Sequence, residues 1–165
     1  MESGGTGIEI CNQNGGGQTI EINAKGEKIK ETAPDGAIME YIYDKYGNLL
    51  NQRDAYGNTI MYQYDDEQNV IATYDTQGNI NFMEYDGEGN VTEVSTQSGE
   101  KSAFTYDENN RLIRNVSSLG AVTRYAYDEN GNPIREIKDG LGSIAYTYEK
   151  GKMNSKKDAL GKNVS

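Results

Sequence analysis

The 165-residue chain has no histidine and no tryptophan, one cysteine and two prolines. Without histidine it lacks the usual general base and the commonest metal ligand. A single cysteine, Cys11, allows no disulfide inside the chain and reads as a small packed residue. No run of about 20 apolar residues is present, so no helix of this chain crosses a bilayer. The opening residues, Met1-Glu-Ser-Gly-Gly-Thr-Gly7, carry neither the basic start nor the apolar centre of a secretion signal. No segment keeps a helical period, so almost no helix is expected.

What is present is tyrosine and negative charge. Thirteen tyrosines stand against two phenylalanines, and 26 acidic residues against 16 basic give a net charge of −10. That sign opposes nucleic acid and anionic membrane surfaces as partners. It fits a secreted or surface-facing protein. Low apolar content with net charge is also the composition of disordered chains. The placement of the tyrosines argues against disorder. Tyr43, Tyr64, Tyr85, Tyr106, Tyr127 and Tyr148 lie 21 residues apart, and Asp44, Asp65, Asp86, Asp107 and Asp128 follow the first five. A fixed period near 20 residues marks a repeat architecture, in which each unit buries surface against its neighbours.

The copies run 41–61, 62–82, 83–103, 104–124, 125–145 and 146–165. Residues 1–37 hold the same register in degenerate form. Ile22, Gly26, Ile29 and Gly36 precede Tyr43, Gly47, Leu50 and Gly57 by one period, and Gly5, Ile8 and Gly15 fall one period earlier. One continuous repeat array is expected. Its last copy reaches the final residues, so a segment of something longer is also expected.

Each copy predicts two turns and two short strands. Asp opens each turn because its carboxylate can bond the turn's own backbone, and Gly closes it because positive φ is free there. The first turns start at Asp44, Asp65, Asp86, Asp107 and Asp128, with Gly47, Gly89 and Gly131 closing three of them and Gln68 and Asn110 replacing glycine in two. The second turns are Asp54–Gly57, Asp75–Gly78, Ser95–Gly99, Ser117–Gly120, Asp139–Gly142 and Asp158–Gly161. Between turns the residues are β-branched and aromatic, as in Thr59-Ile-Met-Tyr-Gln-Tyr64. The fold class is therefore all-β: tandem β-hairpins in a meandering antiparallel sheet.

The two aromatics of each Tyr-x-Tyr are two apart and share one sheet face. Tyr41, Tyr43, Tyr62, Tyr64, Met83, Tyr85, Phe104, Tyr106, Tyr125, Tyr127, Tyr146 and Tyr148 then form a stripe. Two uses are open. The stripe packs repeats against each other, or it stacks on sugar rings with Asn, Gln and Asp nearby. Leu50, Ile71, Thr92, Ile113 and Ile134 give a weaker apolar column on the return strands.

No catalytic constellation is present, and the carboxylates sit at turn positions. Asp128-Glu-Asn-Gly-Asn132 looks like part of a calcium loop, but loop position 12 is Asp139, not Glu. Gly15-Gly-Gly17 lacks the Lys-Ser/Thr of a phosphate loop. No metal or cofactor is expected, and no enzyme.

The pattern Tyr-x-Tyr-Asp-x-x-Gly-Asn, then Asp-x-x-Gly, over residues 38–161 resembles the YD repeat, also called the Rhs repeat. That family includes Rhs polymorphic toxins, insecticidal toxin-complex shells, wall-associated proteins and teneurins. The resemblance implies a hollow shell wall built of hairpins. The Asp-Pro motif of self-cleaving members is absent, so neither that protease activity nor a toxin domain is carried over. The expected role is an extracellular structural protein that forms a filament or part of a shell through open sheet edges. Its partner is another copy of itself or the rest of a larger shell. A glycan is the partner in the rival reading, a surface adhesin.

Overall fold

The computed structural model describes residues 6–11 and 17–164, with side chains from Gly17 onward. Among these residues there are strands and turns and no helix. The chain forms two compact units, residues 1–81 and 82–165.

The first unit holds β1 (Thr6–Cys11), β2 (Gly17–Ile22), β3 (Lys28–Thr32), β4 (Ile38–Tyr43), β5 (Leu49–Asp54), β6 (Thr59–Tyr64) and β7 (Val70–Asp75). Each pairs antiparallel with the next in chain order. β8 (Ile80–Tyr85) straddles the division. The second unit holds β9 (Val91–Thr96), β10 (Lys101–Tyr106), β11 (Leu112–Val116), β12 (Val122–Tyr127), β13 (Pro133–Lys138), β14 (Gly142–Glu149) and β15 (Lys152–Asp158). These also pair in chain order, all antiparallel. The fold is the all-β hairpin meander that the sequence indicates.

Pairing within a Tyr-Asp hairpin is longer than pairing between hairpins. β4 meets β5 at five positions, from Met39↔Asp54 to Tyr43↔Leu49. β5 meets β6 at three, Asn51↔Met61 to Arg53↔Thr59. The same contrast separates β12–β13, with five pairs, from β11–β12, with three. Successive hairpins thus share backbone bonds near the second turn and part near the first.

The first-turn end of each hairpin also carries a β-bulge. Ile42 faces Asn51 while Tyr43 faces Leu49, so Leu50 is the extra residue. Ile71, Ile113 and Ile134 are extra in the same way. Four positions of the expected apolar column, Leu50, Ile71, Ile113 and Ile134, are therefore bulges, and Leu50 and Ile134 are 39% and 38% exposed. A bulge strengthens the local twist and re-aims its neighbours. The degenerate β2–β3 hairpin has the same shift, with Ile22 facing Lys28 and Ile29 extra.

The core is thin. Ala72 is the one hydrophobic residue in the buried class among those described. Side chains of the tyrosine stripe are half-buried, whereas Ile42, Gln63, Glu84, Thr105, Ala126 and Thr147 on the opposite face are exposed. Stability here rests on backbone ladders, turns and the tyrosine face. The N-terminal positions Gly5 and Gly15 and the side chain of Cys11 lie outside the described residues.

Candidate functional site

The aspartate turns are closed circuits. In Asp44–Asn48 the Asp44 N–H donates to the Asn48 carbonyl at 2.9 Å, and the Gly47 N–H donates back to the Asp44 carbonyl at 3.3 Å. Asp44 Oδ1 accepts from the N–H groups of Tyr46 and Asn48, and its Oδ2 accepts from the Asn48 amide. The same set recurs in the second turn, Asp54–Asn58. It recurs again at Asp75–Asn79, Asp86–Asn90 and Asp128–Asn132. Both turns of a repeat are thus one motif, Asp-x-x-Gly-Asn, and the Asn after the glycine completes it. Gly131 shows why glycine sits there: its φ is +83°, a region that costs a side-chain-bearing residue about 1–2 kcal/mol. Gln68 and Asn110 adopt φ of 69° and 58° at the equivalent positions.

Variants keep the backbone and change the cap. Asp107 is answered by the Arg111 guanidinium at 2.8 Å instead of an asparagine. Asp65–Asn69 keeps its asparagine. Asp158–Lys162 makes the two backbone bonds and the two N–H bonds to its carboxylate. Ser117 Oγ accepts the Ala121 N–H at 3.1 Å. Two second turns depart from expectation. Ser95 pairs with Lys101 inside the strand, so the turn starts at Thr96, whose N–H reaches the Glu100 carbonyl. Asp139 opens no such circuit. Lys138 pairs with Gly142, which leaves a three-residue loop closed by the Leu141 N–H on the Lys138 carbonyl. The Asp139 carboxylate turns instead to Arg124, and Gly142 lies in β14.

The carboxylate circuits set the local electrostatics. In Asp75, Asp86 and Asp128, the asparagine amide and then the backbone N–H groups hold the carboxyl below its usual range. In Asp54 the Asn58 amide leads. In Asp44, Asp65 and Asp107, desolvation pushes upward but the hydrogen bonds prevail. Asp128, the start of the calcium-like stretch, spends its carboxylate on Asn130 and Asn132. Among the described residues no group of three or more His, Cys, Asp or Glu side chains gathers to hold a metal ion.

The second tyrosine of each pair does something the sequence does not announce. Tyr43 donates its hydroxyl to the Lys28 carbonyl at 3.0 Å, Tyr64 to Leu49 at 2.8 Å and Tyr106 to Val91 at 2.9 Å. Tyr127 donates to Leu112 at 2.8 Å and Tyr148 to Pro133 at 2.9 Å. Each acceptor lies 15 residues back and opens the preceding return strand. Leu49, Leu112 and Pro133 are the residues next to the bulge that pair with the preceding repeat's Tyr43, Tyr106 and Tyr127. The phenol therefore fills the gap where successive hairpins part and fastens each hairpin to the one before. Burial raises the pKa of Tyr43, Tyr64 and Tyr127, making their hydroxyls weaker acids. Tyr85 holds the equivalent position at the end of β8.

The first aromatics, Tyr41, Tyr62, Phe104, Tyr125 and Tyr146, are half-buried on the same face. Tyr41 donates to Glu31 at 3.2 Å and Tyr146 to Glu136 at 3.0 Å, again one return strand back. Burial, then the bond to Glu136, raises Tyr146. Lys28 stands over the Tyr41 ring at 4.5 Å and Arg111 over Tyr127 at 5.0 Å. At the turns, Lys25 Nζ reaches the Lys45 carbonyl at 2.7 Å, Asn90 the Asn110 amide oxygen at 3.0 Å, and Arg111 the Asp128 carbonyl at 3.2 Å.

A meander of bulged hairpins whose repeats carry a Tyr followed by Asp or Glu at a 21-residue period defines the class of YD-repeat proteins. Residues 19–165 match the teneurin YD-shell family, and the chain belongs to that family. Its fold is shared with solved toxin-complex structures. One is TcdB2-TccC3 without its hypervariable C-terminal region, with a TM-score of 0.59 at 12% identity over 87% of this chain and 11% of that one. Another is TcdB2-TccC3-Cdc42, with a TM-score of 0.56 at 13% identity over 92% and 12% of the two chains. A third is the Photorhabdus luminescens Tc holotoxin pore, with a TM-score of 0.53 at 12% identity over 87% and 11%. The chain thus spans about an eighth or less of the structures it matches. No curated protein matches it.

Proposed function

We propose that this chain is a stretch of extracellular shell wall, a non-enzymatic structural ribbon whose partners are further hairpins of its own kind. One observation carries the reading. The hydroxyls of Tyr43, Tyr64, Tyr106, Tyr127 and Tyr148 go to the backbone of the preceding hairpin, so these repeats are built to receive the next. Such an array grows by addition at a sheet edge, since an unpaired strand edge is a template for another strand. The added strands belong to the rest of a larger shell or to a second copy, and repeated addition of copies gives a filament. Family membership and the toxin-complex neighbours support the shell-wall reading.

Negative-stain electron microscopy with light scattering tests the self-assembling form. Fibres, or particles far heavier than one chain, are the expected result. A uniform monomer would overturn the filament. The shell-wall form would then require that added flanking YD repeats raise the stability of this stretch.

A carbohydrate-binding module is the second reading. The half-buried tyrosine row beside Gln and Asn side chains favours it. The hydroxyls weigh against it, because those of the second tyrosines already serve backbone carbonyls. A glycan-binding screen on the intact chain decides between them.

A further inference from the structure

The face opposite the tyrosines carries a second feature, and it is confined to one unit. Residues 1–81 hold 13 acidic and 5 basic side chains, whereas residues 82–165 hold 13 and 11. The extra cations of the second unit line up. Arg114 pairs directly with Arg124 across β11 and β12. Ala126, two residues on from Arg124, pairs with Arg135 on β13. Arg135 pairs with Ala145 on β14, and Ala145 with Lys157 on β15. Directly paired residues share a face, and so do residues two apart. Arg114, Arg124, Arg135 and Lys157 therefore form one oblique row on a single face, with Arg114 and Arg124 directly paired and Ala145 between Arg135 and Lys157. Tyr125, Tyr127 and Tyr146 point the other way.

The row is poorly matched to the fold's own needs. Like charges directly opposite each other destabilise a sheet, yet Arg114 and Arg124 face each other. Arg124 has Asp139. Among the described residues, Arg114, Arg135 and Lys157 have no carboxylate within ion-pair distance. Arg124, Arg135 and Lys157 are exposed and Arg114 is half-buried.

We infer that this arginine row is a docking surface for a short acidic stretch of polypeptide. Strands lie about 4.8 Å apart, so Arg114 and Arg124 stand one such spacing apart and Arg135 and Lys157 two. Glutamate side chains of a short peptide laid across the strands can reach these cations in turn. Guanidinium groups take carboxylates in two-pronged hydrogen bonds. Nucleic acid fits less well, because single strands need aromatic platforms among the cations and here the aromatics lie on the other face. A long polyanion would also run into the negative field of the rest of the chain.

Fluorescence anisotropy with labelled octaglutamate tests this on the intact chain. Binding is expected at low ionic strength and should weaken with salt. Arg114→Gln with Arg135→Gln should weaken it about tenfold or more, while Lys25→Gln with Lys45→Gln, the same charge change elsewhere, should leave it unchanged. Arg114→Gln alone should melt at the same temperature or higher, because it relieves the paired arginines. Three results would overturn the proposal. Octaglutamate does not bind. The arginine pair and the lysine pair act alike. A sulfated oligosaccharide or single-stranded DNA of equal charge binds as tightly, which would make the row a general anion surface. A lower melting temperature for Arg114→Gln would also count against it, by assigning the arginine to packing.

Discussion

The two ends of each hairpin use the same turn and do different work. At the second-turn end the Asp-x-x-Gly-Asn circuit stands alone, and neighbouring hairpins there share ordinary ladder pairs such as Arg53↔Thr59. The circuit is relaxed in places, with Thr96, Ser117 and the loop after Lys138 in place of an aspartate cap. At the first-turn end the aspartate persists from Asp44 to Asp128, each followed by its three-residue span to a positive-φ residue. There the ladder between hairpins has stopped, a bulge intervenes and the tyrosine hydroxyl makes the connection. Turn chemistry alone closes a hairpin, but joining hairpins where their backbones part needs a side chain.

That contrast can be broken in several ways. The largest effect belongs to Tyr127→Ala, which removes the ring and the bond to Leu112. Core aromatic-to-alanine changes cost about 3–5 kcal/mol, and this half-buried site should lose somewhat less, read by urea unfolding. Gly131→Ala at a first turn and Gly120→Ala at a second turn come next. Their φ values are +83° and +81°, so each should cost about 1–2 kcal/mol. Equal losses would show that the two turns are one motif. Gln68→Gly runs the same test in reverse and should gain up to about 1 kcal/mol in thermal unfolding.

The smallest effect is on pH dependence. The turn aspartates have folded values below their unfolded ones. Their contribution is present above the ordinary carboxyl value of 3.8 and is lost as pH falls through the folded values. Amide exchange in acid should therefore rise at Gln77, Asn79, Asn130 and Asn132. It should rise less at Glu100 and Ala121, whose turns are capped by hydroxyls.

Much of this was legible in the sequence, for local reasons. Turns depend on residues four apart, so Asp44, Gly47 and Asn48 announce themselves, and Gln68 and Asn110 mark where glycine is replaced. The hairpins follow from the spacing of those turns. The joint was not legible, because a tyrosine hydroxyl bonded to a main-chain carbonyl 15 residues away leaves no partner side chain to notice. The bulges hid for a similar reason, since Leu50, Ile71, Ile113 and Ile134 look like an ordinary apolar column until the register is known. One trace of the packing was available. Phe104, the first aromatic without a hydroxyl, stands ten residues after Val94, whereas Tyr41 and Tyr146 stand ten after Glu31 and Glu136. Asp139 misled because an Asp-x-x-Gly spacing survives there while one residue of register has moved.

Two variants that delete the same atom isolate the tyrosine joint. Tyr127 gives its hydroxyl to the Leu112 carbonyl at 2.8 Å, while Tyr56 sits on a turn tip, 91% exposed. The urea midpoints of Tyr127→Phe and Tyr56→Phe should be measured side by side. We expect a loss of about 1 kcal/mol for the first and no change for the second. Equal midpoints for both variants and the parent would contradict the claim that tyrosine hydroxyls join the hairpins.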